Sequence, residues 1–165
     1  MSNNRMSIRG QLALGLLIAE LFSKYADLSG EDKEISQKGI AMSWQWIEGK
    51  SVDPYDLCEY IDGETNLPYR STKHERGSRA NDVITSAWLI IGLIAFNACE
   101  EAEEIPSESV ENFGDNEWNM LYDLSSKLDP ADTQAIKSAE DKLVELTKSD
   151  QSKFGKPLNK PRLKN

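Results

Sequence analysis

Apolar residues recur at three- and four-residue intervals through most of the chain, a spacing that predicts helices. Over residues 8–28, Leu14, Leu17, Ile18, Leu21, Tyr25 and Leu28 share one stripe, and Leu12, Leu16 and Ala19 widen it. Ser29-Gly30 is the expected stop. Residues 31–48 form a second periodic stretch, with Ile35, Gly39, Met42 and Trp46 on one stripe and Ile40, Trp44 and Ile47 beside it. Gly49 is placed to end that helix, because glycine adopts the left-handed conformation of a C-terminal stop.

Two further starts use one device, Asp53-Pro54-Tyr55-Asp56 and Asp129-Pro130-Ala131-Asp132. The leading aspartate caps the helix, proline suits its first turn, and an acid follows three residues after the cap. They predict a short helix with Leu57, Tyr60 and Ile61 inward, closed by Gly63, and a last helix over residues 130–148 carrying Ile136, Ala139, Leu143 and Leu146. Residues 64–79, with Pro68 and Gly77, read as a long loop. Asn81 or Asp82 caps the next helix. Its middle, residues 87–96, is apolar on every side, and the run continues to Ala102 without a turn signal, which favours helix over buried strand. A helix apolar all round is buried all round. Residues 106–112 suggest a helical turn closed by Gly114. Asp115 then caps a helix with Trp118, Leu121, Tyr122, Ser125 and Leu128 on one face. The expectation is an all-α, single-domain bundle of about six helices around a central apolar helix at about 82–104. It occupies residues 1–148, and residues 149–165 form a mobile, irregular tail.

The chain has 165 residues, one domain's worth, and a net charge of −9. Charge is unevenly spread. Lys153, Lys156, Lys160, Arg162 and Lys164 oppose only Asp150 after residue 148, so a +4 tail follows a −13 body. An acidic body repels nucleic acid and membrane surfaces, so direct binding to either is not expected, and it attracts basic proteins. Residues 12–19 have the look of a signal-peptide core behind Arg5 and Arg9, but Glu20 stands where a small cleavage-site residue belongs. The apolar run 87–96 is half of the roughly 20 residues a membrane span needs. Neither an export signal nor a membrane span is expected. Cys58 and Cys99 are far apart in sequence, match no metal or redox spacing, and read as small buried hydrophobes. Reduced thiols fit a cytoplasmic protein.

Catalytic chemistry has few parts to work with. His74 is the only histidine, which excludes the common zinc sites and leaves a Ser-His-Asp triad dependent on one loop residue. There is no phosphate-binding loop and no G-x-G-x-x-G. No catalytic residue, metal or cofactor is expected. A carboxylate-dependent hydrolase stays open, since acids are plentiful. It requires several of them to converge in an apolar pocket.

Three constellations stand out. Glu100, Glu101, Glu103 and Glu104, followed by Glu108 and Glu111, crowd the C-terminal end of the central helix, where the macrodipole disfavours anions. They also repel one another. A local rule broken without visible compensation is where a binding surface is expected, against the plain alternative of a solvated face. Trp44 and Trp46 point about 200° apart on a helix. Either both are core, which is favoured, or one is exposed as a partner anchor. The following segment adds Asp56, Glu59, Asp62 and Glu64 as a second acidic face. Arg70, Lys73, His74, Arg76 and Arg79 form either a small basic site or internal partners for these acids.

The tryptophan helix ending Trp46-Ile47-Glu48-Gly49-Lys50, the short spacer, and Tyr55-Asp56-Leu57-Cys58-Glu59-Tyr60-Ile61-Asp62 resemble the Imm6 family of immunity proteins from bacterial polymorphic toxin systems. Trp88, in a strongly apolar helix, extends the resemblance, which spans residues 8–125 and leaves the basic tail unmatched. It implies an all-α, non-enzymatic cytoplasmic antitoxin that binds a cognate toxin domain, in many such systems a nuclease with a basic cleft, and occludes it. Acidic residues Glu100 to Glu111 and Asp56 and Glu59 would steer association, and Trp44 or Tyr60 would anchor it. An acidic helical adaptor, such as a phage anti-defence protein, is the alternative from another class. The sequence permits a homodimer without requiring one.

Overall fold

A computed structural model of the chain describes residues 6–28 and 30–163. Among the described residues seven helices run in order: α1 Ile8–Phe22, α2 Gly30–Ile47, α3 Pro54–Asp62, α4 Leu67–Ser71, α5 Arg79–Glu101, α6 Asp115–Ser125 and α7 Pro130–Thr147. Among the described residues there is no strand, so the all-α expectation holds. Helix α5 is central. Helices α1, α2, α3, α4 and α6 all pack on it, and α7 lies on α1. By length and composition α5 is apolar enough to cross a membrane, but 78% of its most apolar window is buried inside the protein. It is therefore used as a core helix.

Helix α1 is as apolar as α5 and is buried on every side, with residues 12–14 and 16–19 at 1% exposure or less. The two approach closely because Gly15 presents no side chain, and a Cβ there would run into Ile90 of α5 and Leu121 of α6. Ser7 caps α1 by accepting from the Gly10 N–H at 3.1 Å. The helix stops at Phe22, six residues short of the end expected from its apolar stripe. Tyr25 explains the difference. Its ring packs on Phe22, its hydroxyl accepts from the Asp129 N–H at 2.8 Å, and it donates to Asp132 at 2.7 Å. Leu28 is still buried, so the stripe reports burial correctly while the backbone unwinds to reach α7. Ser29, named as part of the stop, lies outside the described residues, as do Arg5 and Lys164.

Gly49 ends α2 as expected, at φ 78°, with the Lys50 N–H returning to the Gln45 carbonyl at 2.9 Å. Asp53 and Asp129 cap α3 and α7, accepting from the N–H groups of Tyr55 and Asp132, each at 2.9 Å. Other boundaries move, and Gly114, not Asp115, is the N-cap of α6. Helix α5 begins after Ser78, which accepts from the Asn81 N–H, so neither Asn81 nor Asp82 is its cap. Asp82 is instead buried against Lys127, at 2.9 Å. Helix α6 ends at Ser125 rather than Leu128. The stretch expected to be a long loop contains α4, capped by Asn66, with Leu67 fully buried.

After α7 the described residues form neither helix nor strand, and they lie against the body. The Phe154 carbonyl accepts from the Arg9 N–H at 2.8 Å, and the Leu158 N–H donates to the Ile47 carbonyl at 2.9 Å. Gly155 is buried, and Leu158 and Leu163 pack against the core.

Candidate partner-binding surface

The acidic end of α5 is shaped by a helix stop built without glycine. The Glu104 N–H returns to the Cys99 carbonyl at 2.9 Å, and Glu103 before it sits at φ 57°. In this left-handed position glycine is the usual occupant. A residue with a Cβ there costs about 1–2 kcal/mol. The left-handed turn takes the chain out of the helix, and Glu103, Glu104 and Ile105 are exposed at its end.

The glutamates of this cluster are not equivalent. Glu101 pairs with Arg9 through both terminal guanidinium nitrogens, at 2.8 and 2.9 Å. Arg9 is 6% exposed, donates to the Gly155 carbonyl at 2.8 Å and stacks on Trp46 at 4.1 Å. Glu100 faces Lys153 at 3.7 Å. The expectation that these charges lack compensation is therefore corrected for Glu100 and Glu101: their partners come from α1 and the tail, distant in sequence. Glu103, Glu104, Glu108 and Glu111 are exposed, and among the described residues none of them has an ion-pair partner.

Helix α3 joins this end. Tyr55, 43% exposed, donates its hydroxyl to the Ile105 carbonyl at 2.9 Å. Partial burial and the neighbouring Glu104 carboxylate push its phenol up from the ordinary value. Ile105 is 81% exposed. The result is a small tyrosine–isoleucine patch beside the exposed carboxylates of Glu103 and Glu104, with Asp56 and Glu59 exposed on α3. Sequence reasoning missed Tyr55 and Ile105. The available signal was Ile105 itself, an isolated aliphatic between Glu104 and Pro106 that no helical stripe requires.

The two proposed aromatic anchors lie elsewhere. Tyr60 is half-buried and faces Gly39 of α2, where a Cβ would meet its ring at 3.1 Å. Burial raises its phenol, partly opposed by Lys38. Trp44 and Trp46 are both buried, at 5% and 4% exposure. Helix α2 is thus packed on both sides, and Trp44 presents no exposed ring. Its indole N–H donates to Glu20 at 3.0 Å, and it lines a separate groove of about 580 Å³ between α1 and α2.

The basic constellation is largely internal. Arg70 bonds Asp32 at 2.9 Å and Glu31 at 3.2 Å, and His74 meets Asp32 at 3.1 Å. Burial raises the Asp32 carboxyl, but hydrogen bonds from Arg70 and His74 outweigh it and hold the group below its ordinary value. Arg79 and Lys73 lie over the rings of Tyr25 and Tyr69. Cys58 and Cys99, distant in sequence, are neighbours across α3 and α5. Burial and the adjacent Cys58 push the Cys99 thiol up to about 12. Among the described residues no group of three or more His, Cys, Asp or Glu side chains is disposed to hold a metal ion.

A family model described as immunity protein Imm6 matches residues 10–128. The match contains α2 to α6 and nearly all of α1, including the acidic end of α5 and the α1–α2 groove, and it stops before α7 and the tail. No curated protein and no solved structure matches the chain.

Proposed function

The chain belongs to the family of immunity protein Imm6, and on that footing we propose that it is a cytoplasmic antitoxin of a polymorphic toxin system that binds a basic cognate toxin domain, a nuclease, and occludes its substrate cleft. One observation carries the surface assignment. Glu103 and Glu104 are exposed beside the Tyr55–Ile105 patch, and Glu108 and Glu111 are exposed in the segment that follows; among the described residues none of the four has an ion-pair partner, and Glu103 is held in a strained conformation. Unpaired carboxylates steer a basic partner into encounter. A small exposed aromatic and aliphatic pair supplies the area that then slows dissociation. A cleft that binds nucleic acid carries the opposite charge. Binding of this kind needs no catalytic group on the antitoxin.

The test begins with capture from the native cells by tagged full-length protein at low salt, followed by mass spectrometry. The expected product is the C-terminal domain of a large secreted protein. Glu103→Lys, Glu104→Lys and Glu108→Lys together are expected to slow its association by about tenfold or more at low salt, with the thermal midpoint unchanged. Recovery of the chain alone, or of a housekeeping partner, would remove the antitoxin reading and favour an adaptor. Unchanged association would move the contact to another face.

A further inference from the structure

The groove between α1 and α2 already holds a ligand-like group, supplied by the chain itself. Glu20 of α1 and Trp44 of α2 make its base, with the indole N–H fixing the Glu20 carboxylate at 3.0 Å. The Lys160 ammonium bonds the same carboxylate oxygen at 2.5 Å and stands 5.3 Å from the centroid of the Trp44 ring. A carboxylate and a π-face acting together on one ammonium form a cation-recognition site.

Three features separate the site from its occupant. Glu20 and Trp44 lie inside the span matched by the family, residues 10–128, whereas Lys160 lies in the segment beyond it. The lysine is lightly held: its side chain is 46% exposed, and the backbone bond nearest to it joins Leu158 to Ile47. The groove also continues past the ammonium, between Gln37, Gln45 and Glu48, to a total of about 580 Å³. One lysine head group does not fill that space.

We propose that the Glu20–Trp44 groove receives a lysine or arginine side chain of the toxin domain, and that Lys160 is a built-in stand-in which the partner displaces. The inference rests on the antitoxin reading for the identity of the partner. The chemistry of the occupant comes from the lysine already seated there. Arginine fits the site particularly well, since its guanidinium stacks on an aromatic face while bonding a carboxylate. A tethered competitor acts at a high effective concentration, so it weakens an incoming cation without abolishing binding. The tail would thereby set a threshold that weakly basic surfaces do not pass.

The experiment uses the full chain and a capped Gly-Arg-Gly tripeptide, followed by the ¹H–¹⁵N resonance of the Trp44 indole, assigned with Trp44→Phe. Lys160→Ala is expected to bind the tripeptide at least about fivefold more tightly than the parent, and Lys160→Arg to behave like the parent. Adding Glu20→Gln to Lys160→Ala should lose that gain, while adding Glu104→Gln should not. Equal titration of the parent and Lys160→Ala, or full binding retained with Glu20→Gln, would overturn the proposal. The readout needs no toxin, so failure to capture one and failure of this site are separate results.

Discussion

Tyr122 carries a hydroxyl that the fold does not use. The ring stacks on Trp118 at 5.6 Å, but the buried oxygen has no hydrogen-bond partner among the described residues. Burial, with Glu140 nearby, pushes the phenol up to about 12. Removing an unpaired buried polar atom relieves its desolvation penalty. Tyr122→Phe is therefore expected to be neutral or stabilising by up to about 1 kcal/mol in chemical denaturation, and a clear loss of stability would contradict this. Asp32 is the opposite case, a carboxylate fully used by Arg70 and His74. Its carboxyl lies below the ordinary 3.8, so the contribution is present above that value and disappears as pH falls through the folded one. Asp32→Asn should thus be less stable than the parent near neutral pH, and the gap should narrow in acid below about pH 4. A gap independent of pH would show that the ion pairs are not its source.

At the scale of elements, the stop of α5 separates structure from binding. Glu103→Gly places the preferred residue at a left-handed position and is expected to stabilise the fold by about 1 kcal/mol. Glu101→Gln leaves the buried Arg9 without its carboxylate and should cost about 1–3 kcal/mol. Thermal denaturation of the two variants checks this, and equal effects of one sign would contradict it. The sequence made the local devices legible. The Asp53-Pro54 and Asp129-Pro130 starts and the Gly49 stop are read from neighbouring residues, because capping is a local interaction. Helix α4 escaped because its cap, Asn66, is separated from Pro68 by one apolar residue, Leu67. Phe22 ends α1 for a reason 104 residues away, the Tyr25–Asp129 bond. The Arg9–Glu101 pair spans 92 residues. No periodicity encodes such contacts, so the acidic cluster was visible as a composition while its internal division was not.

For the whole molecule, a strongly acidic body carries a basic tail across its own surface. The tail meets it at Glu100 through Lys153 and at Glu20 through Lys160, and the exposed carboxylates around Tyr55 and Ile105 are left to the solvent. An all-α core built on α1 and α5 holds this distribution in place, because both helices are enclosed and the surface falls to the polar faces of the others. The aromatic motifs of α2 and α3 indicated the family, and the matched residues 10–128 agree closely with the span those motifs suggested. The proposal that matters most for the whole molecule is neutralisation of a toxin by direct binding. Its most direct measurement is growth of cells producing the toxin domain recovered by capture with this chain, with and without the chain itself. Restored growth, together with loss of nuclease activity on addition of purified protein, is the predicted result. Undiminished toxicity in cells that accumulate the folded chain would contradict it.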